Sequence, residues 1–461
     1  MPVVRDEGAD FAARFPVVVV GAGACGLVAA LAARERGVDV LVLERDALPS
    51  GSTAMSSGFV PAAGTRWQRA AGVDDSPAAM AADIARKNNG EADAAVVASA
   101  CATIGPALEW LADAHGVPFE LVEGFLYPGH GLTRMHAVPE RTGEALVRRL
   151  AQASAAAGVT LVTSATVDTL VARTDGRVAG VRYARPDGTT DEAGCEALVL
   201  ACSGFGGNAD LVREHIPQIA GAPYFGHAGN RGDALAWGLA LGAAARDLGA
   251  YQGHGSLATP HGVLITWALM MEGGIQVNAR GERFANEHAG YSEQCLEVLS
   301  QPGAVAWDVY DARLHELGRG FPDYRAAEAA GAIRRAGDIA GLAAACGLPA
   351  DALQRTLMHA AACARGEADD ALGRDFRNAP PLAPPYYAVK VTGALFHTQG
   401  GLAVDANARV LDGVGRALPN LWAGGGAARG LSGAHAWGYL SGNGLLSAIA
   451  LGRLAGRGAA T

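Results

Sequence analysis

Along this chain, short wholly apolar runs end in glycine turns, and longer amphipathic stretches separate them. The first run, Val17 to Val20, is β-branched and lacks polar alternation, which predicts a strand buried on both faces of a parallel sheet. It leads into Gly21-Ala22-Gly23-Ala24-Cys25-Gly26, then an Ala/Leu-rich helical stretch. A second strand is expected over Val38 to Leu43, ending at Glu44. The same strand-then-glycine pattern returns at 197–208 and at 420–426, and a last glycine turn, Gly442-Asn443-Gly444, opens a C-terminal helix.

Between these runs, residues 78–115 and Glu144 to Ala157 alternate apolar stripes with charges at helical spacing. Thr160 to Val162 is expected as a strand, and Thr166 to Arg173 with Val178 to Ala184 as a hairpin around Asp175-Gly176. Asp233 opens a helix over Ala234 to Leu241, where it suits either a cap or a cofactor hydroxyl. From about 255 to 395 the pattern becomes more helical, with periodic Ala/Arg/Glu stretches at Tyr324 to Ala336 and Ala350 to Ala364. The run Pro380 to Pro385 marks its end. A strand near Ala403 to Asp405 returns to the first style. The expectation is an α/β fold: a Rossmann-like dinucleotide-binding domain split between 1–254 and 396–461, with an α+β capping domain inserted at 255–395.

The opening stretch carries the first chemistry. Gly21 makes the tight turn, Gly23 lets a pyrophosphate approach the backbone, and Gly26 lets helix and strand pack closely. Ala24 and Cys25 begin a helix whose free N–H groups face the phosphates. Glu44, about 20 residues past the glycines, stands where an acid binds ribose hydroxyls. Residues 15–33 are uncharged and long enough for a membrane span, but the glycines and the β-branched start favour a buried βα unit. The leader MPVVRDEGAD mixes acids with its arginine, unlike a secretory n-region.

Composition narrows the classes. The chain has 461 residues, half of them hydrophobic, and a formal net charge of −9, which argues against nucleic acid as a partner. Seven cysteines, never in C-x-x-C, fit reduced cytoplasmic thiols. No His/Cys cluster has metal-ligand spacing.

The loop Gly51-Ser52-Thr53-Ala54-Met55-Ser56-Ser57-Gly58 has the hydroxyls and lack of bulk to wrap a flat cofactor, or to be an ordinary surface loop. With the opening motif, ACSGFGGN (201–208), GNRGDA (229–234), GGIQVNARGERFANE (273–287), PPYYA (384–388), HTQGGL (397–402), LWAGGG (421–426) and YLSGNGLLSA (439–448), it resembles the fumarate reductase flavoprotein superfamily in order and spacing. The resemblance implies FAD, bound non-covalently because no histidine stands as an attachment site, and substrate held between cap and flavin. It implies cofactor contacts from Gly21, Gly23, Ala24, Cys25, Gly26, Glu44, Arg45, Ser52, Thr53, Ser56, Ser57, Gly58 and Val167. It implies the same for Ser203, Gly204, Asn230, Asp233, Gly425, Gly442, Asn443 and Leu445.

The departures carry the functional reading. Where fumarate reductases have a proton-donating arginine after N-E, this chain has Tyr291. Where they have a carboxylate-binding arginine, it has Tyr439 in Tyr439-Leu440-Ser441-Gly442. The proton route's upstream Glu and Arg correspond to Trp267 and Met270. A dicarboxylate site without its arginines leaves anionic groups poorly paired. The tyrosines resemble those of the 3-ketosteroid dehydrogenase branch, including enzymes acting at the Δ4 bond of 5α-steroids and desaturases of 4-oxocyclohexanecarboxylate. That implies desaturation of a cyclic ketone, with Tyr291 taking the α-proton, Tyr439 polarising the carbonyl and Ser441 assisting; Ser441 equally suits a helix cap. His254 and His397 keep fumarate reductase-like places and would orient the substrate. A small keto acid is slightly preferred over a steroid. A fumarate- or enoate-type reductase and a non-catalytic flavin-binding protein are the alternatives. Oxygen, a quinone or a soluble carrier would accept the electrons, and oligomeric state is unread. Tyr127, in the stretch Phe125 to His130, is expected as a turn tyrosine, with a reach from that loop to the substrate as the alternative. Arg134 and His136 are expected as a polar loop able to hold a carboxylate, and Arg280 and Arg283 as solvated hairpin residues.

Overall fold

The computed structural model describes residues 2–461. Its largest sheet has nine strands. A parallel block runs in the spatial order Thr160–Val162, Val40–Leu43, Arg14–Val20, Thr190–Leu200 and Ala417–Ala423. Val18 pairs with Leu41 on one side and Leu198 on the other, and all three are buried. The apolar runs are thus central strands covered on both faces. The long strand Thr190–Leu200 pairs antiparallel through its first half with Val178–Ala184, which in turn pairs with Thr166–Ala172 as the expected hairpin.

Helices cover this block because their small residues permit close packing. Helix Ala24–Arg34 lies against the C-terminal helix Asn443–Ala459. A Cβ at Gly456 would sit 2.0 Å from the Ala29 carbonyl oxygen, so only glycine allows this approach. The two ends of the chain therefore share one core. Helix Ala94–His115 starts at Asp93, whose carboxylate accepts from the N–H groups of Ala95 and Val96, and ends at Gly116 with φ +64°. It is long and apolar enough to cross a membrane, and half of its most apolar window is buried inside the protein.

A second, six-stranded sheet forms the β part of the region expected as an α+β cap. Val263–Leu264, Tyr251–Ala258, Tyr386–Thr398, Ala306–Asp311 and Ile275–Val277 lie in that order, and Ile333–Ala336 also pairs with Tyr386–Thr398. The helix expected over Tyr324 to Ala336 is accordingly corrected. A helix spans Pro322–Ala329, Gly331 turns the chain at φ +73°, and the remainder is a strand whose Arg334 and Arg335 are exposed. Helical composition loses there to backbone pairing along one strand. Helix Ala350–Ala364 forms as expected. The chain enters and leaves this sheet along Tyr251–Ala258 and Tyr386–Thr398, which pair antiparallel, so positions 254/255 and 395/396 fall inside strands.

A buried cluster joins the two sheets. It collects Phe59, Met135 and Tyr439 with Trp267, Tyr291, Tyr310 and Tyr324. Tyr291 and Tyr439, two of the expected site residues, sit on this seam.

Candidate active site

One continuous cleft runs along the seam, lined by the glycine turns at one end and by aromatic residues at the other. At the first end, Gly21 takes φ +102° and a Cβ at Gly26 would meet the Gly21 carbonyl oxygen at 1.9 Å. The strand-to-helix turn is therefore as tight as the motif requires. The first-turn N–H groups of helix Ala24–Arg34 lack intrahelical acceptors, and no acid stands in that turn. The Thr53 hydroxyl holds the Ala24 N–H at 3.0 Å. Glu44 Oε2 accepts from Ala22 N at 2.7 Å and Oε1 from Asp46 N at 3.0 Å, which fixes the carboxylate at the cleft wall. Arg45 is held by Asp233 at 2.6 Å. Ser52, Ser203 and Asn230 form a hydroxyl–amide cluster, with Asn230 Nδ2 donating to Ser52 Oγ at 2.9 Å.

This donor set suits a dinucleotide: N–H groups and hydroxyls for pyrophosphate, an acid for ribose, and the apolar Ala165 and Val167 for a base. Of the residues expected to touch the cofactor, Gly21, Gly23, Ala24, Cys25, Glu44, Arg45, Ser52, Thr53, Ser56, Ser57, Gly58, Val167, Ser203, Asn230, Gly425, Gly442 and Leu445 line the cleft. Gly26, Gly204, Asp233 and Asn443 do not line it. Gly26 packs against Gly21, and Gly204 packs against the Thr398 side chain. Asp233 anchors Arg45 rather than capping its helix, which starts at Gly232 without a side-chain cap. Asn443 is buried with its amide on Ser432 Oγ at 3.4 Å.

At the other end, five expected residues meet: Tyr291, Tyr439, Ser441, His254 and His397 all line the cleft. Tyr291 begins helix Tyr291–Leu299, and Tyr439 with Ser441 immediately precedes helix Asn443–Ala459. The Tyr291 and Tyr439 rings lie 6.0 Å apart between centroids. His254 stacks on Tyr291 at 4.7 Å, and the His397 ring meets Tyr439 edge-on at 5.6 Å. Ser441 is not a cap, because Gly442 at φ +82° takes that position.

Burial sets the protonation states. It pushes the Tyr439 phenol up to about 12, with the Gly444 N–H, the Tyr291 hydroxyl and the Gly442 N–H opposing the shift. Burial and the nearby Tyr439 hold the Tyr291 phenol well above its ordinary value, against the Ser441 hydroxyl. Burial lowers His254 to about 3 and His397 to about 4, so both rings are neutral at physiological pH. Ser256 N–H donates to His254 Nδ1 at 3.1 Å, which leaves Nε2 carrying the proton. His397 Nδ1 is contacted by Gln399 Nε2 at 3.1 Å.

Several residues stand apart from their expected places. Arg134 is buried between Asp75 and Asp83, and His136 is bonded to Thr65 Oγ1 at 2.8 Å, so neither is free for a substrate carboxylate. Arg283 is not solvated: it is ion-paired with Glu287 at 2.6 Å and with Asp370 at 2.8 Å, while Arg280 is exposed. Tyr127 opens a turn, its carbonyl accepting from the His130 N–H at 3.2 Å, and its side chain also lines the cleft beside Thr266. Phe59, Thr266, Phe321 and Asp323 also line it and have no local sequence signal, because the fold brings them together from distant elements.

A probable fumarate reductase from Shewanella frigidimarina is 26% identical, over 96% of this chain and 74% of that protein. A 4-oxocyclohexanecarboxylate 2-dehydrogenase from Sinomonas cyclohexanicum is 29% identical, over 96% and 92%. The solved structure of a 3-ketosteroid-Δ4-(5α)-dehydrogenase from Rhodococcus jostii RHA1, in complex with 4-androstene-3,17-dione, matches with a TM-score of 0.79 at 28% identity. It covers 100% of this chain and 99% of that one. The FAD binding domain model matches residues 16–445. The chain thus belongs to the FAD-binding domain family of oxidoreductases, and its cofactor is FAD.

Proposed function

We propose that this oxidoreductase is a dehydrogenase that introduces a C=C bond α,β to the carbonyl of a cyclic ketone. The substrate lies between the cap, residues 255–395, and the FAD-binding parts on either side. The observation that carries this reading is the pair Tyr291 and Tyr439 in one cleft wall where an arginine-based dicarboxylate site would need cations. The cleft's one arginine, Arg45, is already paired with Asp233.

Desaturation removes an α-proton and a β-hydride. Non-covalently bound FAD supplies the hydride acceptor and the two-electron redox capacity. The protein's own work is at the carbonyl and the α-carbon. Tyr439 O–H, with the N–H groups of Gly442 and Gly444 beside it, supplies donors where enolate charge develops. Tyr291, beside Ser441, takes the α-proton. Because burial disfavours a preformed tyrosinate, Tyr291 passes its own proton on through Ser441 and Tyr439 to the substrate carbonyl oxygen as it receives the α-proton, so that the enol forms with no net proton lost. Once the hydride has left the β-carbon, that proton returns from the product carbonyl along the same hydroxyls and leaves to solvent as the enone is released. His254 offers Nε2–H to orient the ring substituents, and His397 supports Tyr439. An oxygen, quinone or soluble carrier takes the electrons afterwards.

The experiment is an anaerobic titration of the purified yellow protein with 3-ketosteroids and with 4-oxocyclohexanecarboxylate, followed by mass spectrometry of the product. Flavin bleaching by at least one of these ketones, with loss of two hydrogens from it, is expected. The retained His254 and His397 favour a second reading, reduction of an enoate by pre-reduced enzyme. Absence of bleaching by every ketone, with reoxidation of the dithionite-reduced protein by fumarate, would select that reading instead.

A further inference from the structure

Between the tyrosine pair and the opposite wall lies an aromatic chamber. Trp267 meets Tyr291 at 6.2 Å, its neighbour Thr266 stands beside Tyr127, and Phe59 lies 6.2 Å from both Tyr127 and Phe321. Next to Phe321 is Asp323, which also lines the cleft. Its Oδ2 accepts from Ser57 Oγ at 3.5 Å, and no Lys, Arg or His among the described residues lies within ion-pair distance of it. The other charged residues of the cleft are committed: Arg45 to Asp233, Asp46 to His227, and Glu44 to the Ala22 and Asp46 N–H groups. The chamber thus has hydrogen-bond donors at one end and, at the other, an acid with a hydroxyl but no cationic side-chain partner, Asp323 with Ser57, in the first turn of helix Pro322–Ala329.

We infer that Asp323 is a specificity-determining residue: it selects ketones whose far end carries a hydrogen-bond donor, a hydroxyl or a protonated amine, and rejects keto carboxylates. This rests on the ring-ketone reading above and deepens it. A donor at that end satisfies Asp323 and Ser57 in a water-poor site. A substrate carboxylate would instead face an acid of like charge with no cation to offset either group. Burial raises the Asp323 carboxyl above its ordinary value. The discrimination therefore belongs to the ionised acid and weakens where the carboxyl is protonated and can itself donate to a substrate carboxylate. This inference runs against the preference for a small keto acid drawn from the retained histidines, because both rings are neutral and supply no cation for a carboxylate.

Aryl ketones, which have no saturated α,β-carbon pair to desaturate, test binding apart from turnover. Acetophenone, 4-hydroxyacetophenone and 4-acetylbenzoate are titrated into FAD-loaded wild type, Asp323→Asn and Asp323→Ala, with the flavin difference spectrum as readout. In wild type, 4-hydroxyacetophenone is expected to bind about ten-fold or more tightly than 4-acetylbenzoate, and Asp323→Ala should collapse most of that ratio. Equal affinities in wild type, a ratio unmoved by Asp323→Ala, or no binding by any of the three overturns the inference. Anaerobic mixing with 4-hydroxycyclohexanone separates the two readings. Bleaching without the binding ratio removes the role of Asp323 and keeps the desaturase. The ratio with no bleaching by any ring ketone does the reverse.

Discussion

His254 lies stacked on Tyr291, ring centroids 4.7 Å apart and planes 20° from parallel. The stack fixes the phenol ring through contacts that do not involve its hydroxyl. Tyr291→Phe should therefore leave the wall, the stack and the flavin content unchanged. It should slow flavin reduction by a ring ketone by about 10² to 10⁴. Stopped-flow absorbance checks this; near-normal reduction would remove Tyr291 as the proton acceptor.

Neither phenol is a tyrosinate at neutral pH, since Tyr439 is pushed up to about 12 and Tyr291 well above its ordinary value. Ultraviolet titration near the phenolate band should show no ionisation of these two side chains below about pH 11. The reduction rate should pass pH 7 to 9 without a step from either group. A tyrosinate signal near pH 8 that vanishes in Tyr439→Phe would contradict the concerted proton transfer.

His130 and His136 are buried, and burial lowers each to about 4. Their folded values lie below the unfolded value near 6.5, so the unfolded chain binds more protons between those limits. The stability tied to each neutral ring is fully present above about pH 6.5 and is lost as pH falls toward 4. The loss is on the order of 3 kcal/mol per ring when fully protonated. Denaturant unfolding at pH 7.5 and 4.5 should show this fall, and His136→Asn should reduce it. An unchanged midpoint across that range would refute the neutral buried rings.

Glu287 is held down to about 2 although fully buried, because Arg374 and Arg283 flank it. Arg374 also donates to the carbonyls of Gly274 and Met270, at 2.7 and 2.8 Å, so the acid organises the backbone leading to Tyr291. Removing one partner of such a network leaves buried charge unpaired. Glu287→Gln should cost roughly 3–5 kcal/mol, read as a lower urea midpoint. A loss below 1 kcal/mol would mean that water reaches these arginines.

The parts legible in the sequence are those whose physics is local. Val17 to Val20, the glycine turn and Glu44 form one continuous βα unit, so spacing alone places the cofactor end. Tyr291 and Tyr439 are marked by their place in motifs, which tie each to a neighbouring turn. Asp323 and Tyr127 carry no such mark, because the cleft around them assembles from segments far apart in the chain. Arg283 reads as a hairpin residue until Asp370, 87 positions away, closes on it. Ile333–Ala336 has helical composition and becomes a strand only because Tyr386–Val389 offers it unpaired backbone.

The cofactor end also depends on a contact between the chain's extremes. Gly456 meets the Ala29 carbonyl with no space for a methyl group, and Gly452 meets Cys25 with similar closeness. The contact sets the position of helix Ala24–Arg34, and with it the N–H groups of the Gly21–Gly26 turn. Gly456→Ala must push the two helices apart or bend one, at about 1–3 kcal/mol. Gly456→Val should cost more. Both should weaken FAD retention while Tyr291, Tyr439 and the cap sheet stay in place. Flavin content after gel filtration, with the thermal midpoint measured with and without added FAD, gives the answer. Full retention and an unchanged midpoint in Gly456→Val would show that the terminal helix does not position the phosphate-binding turn.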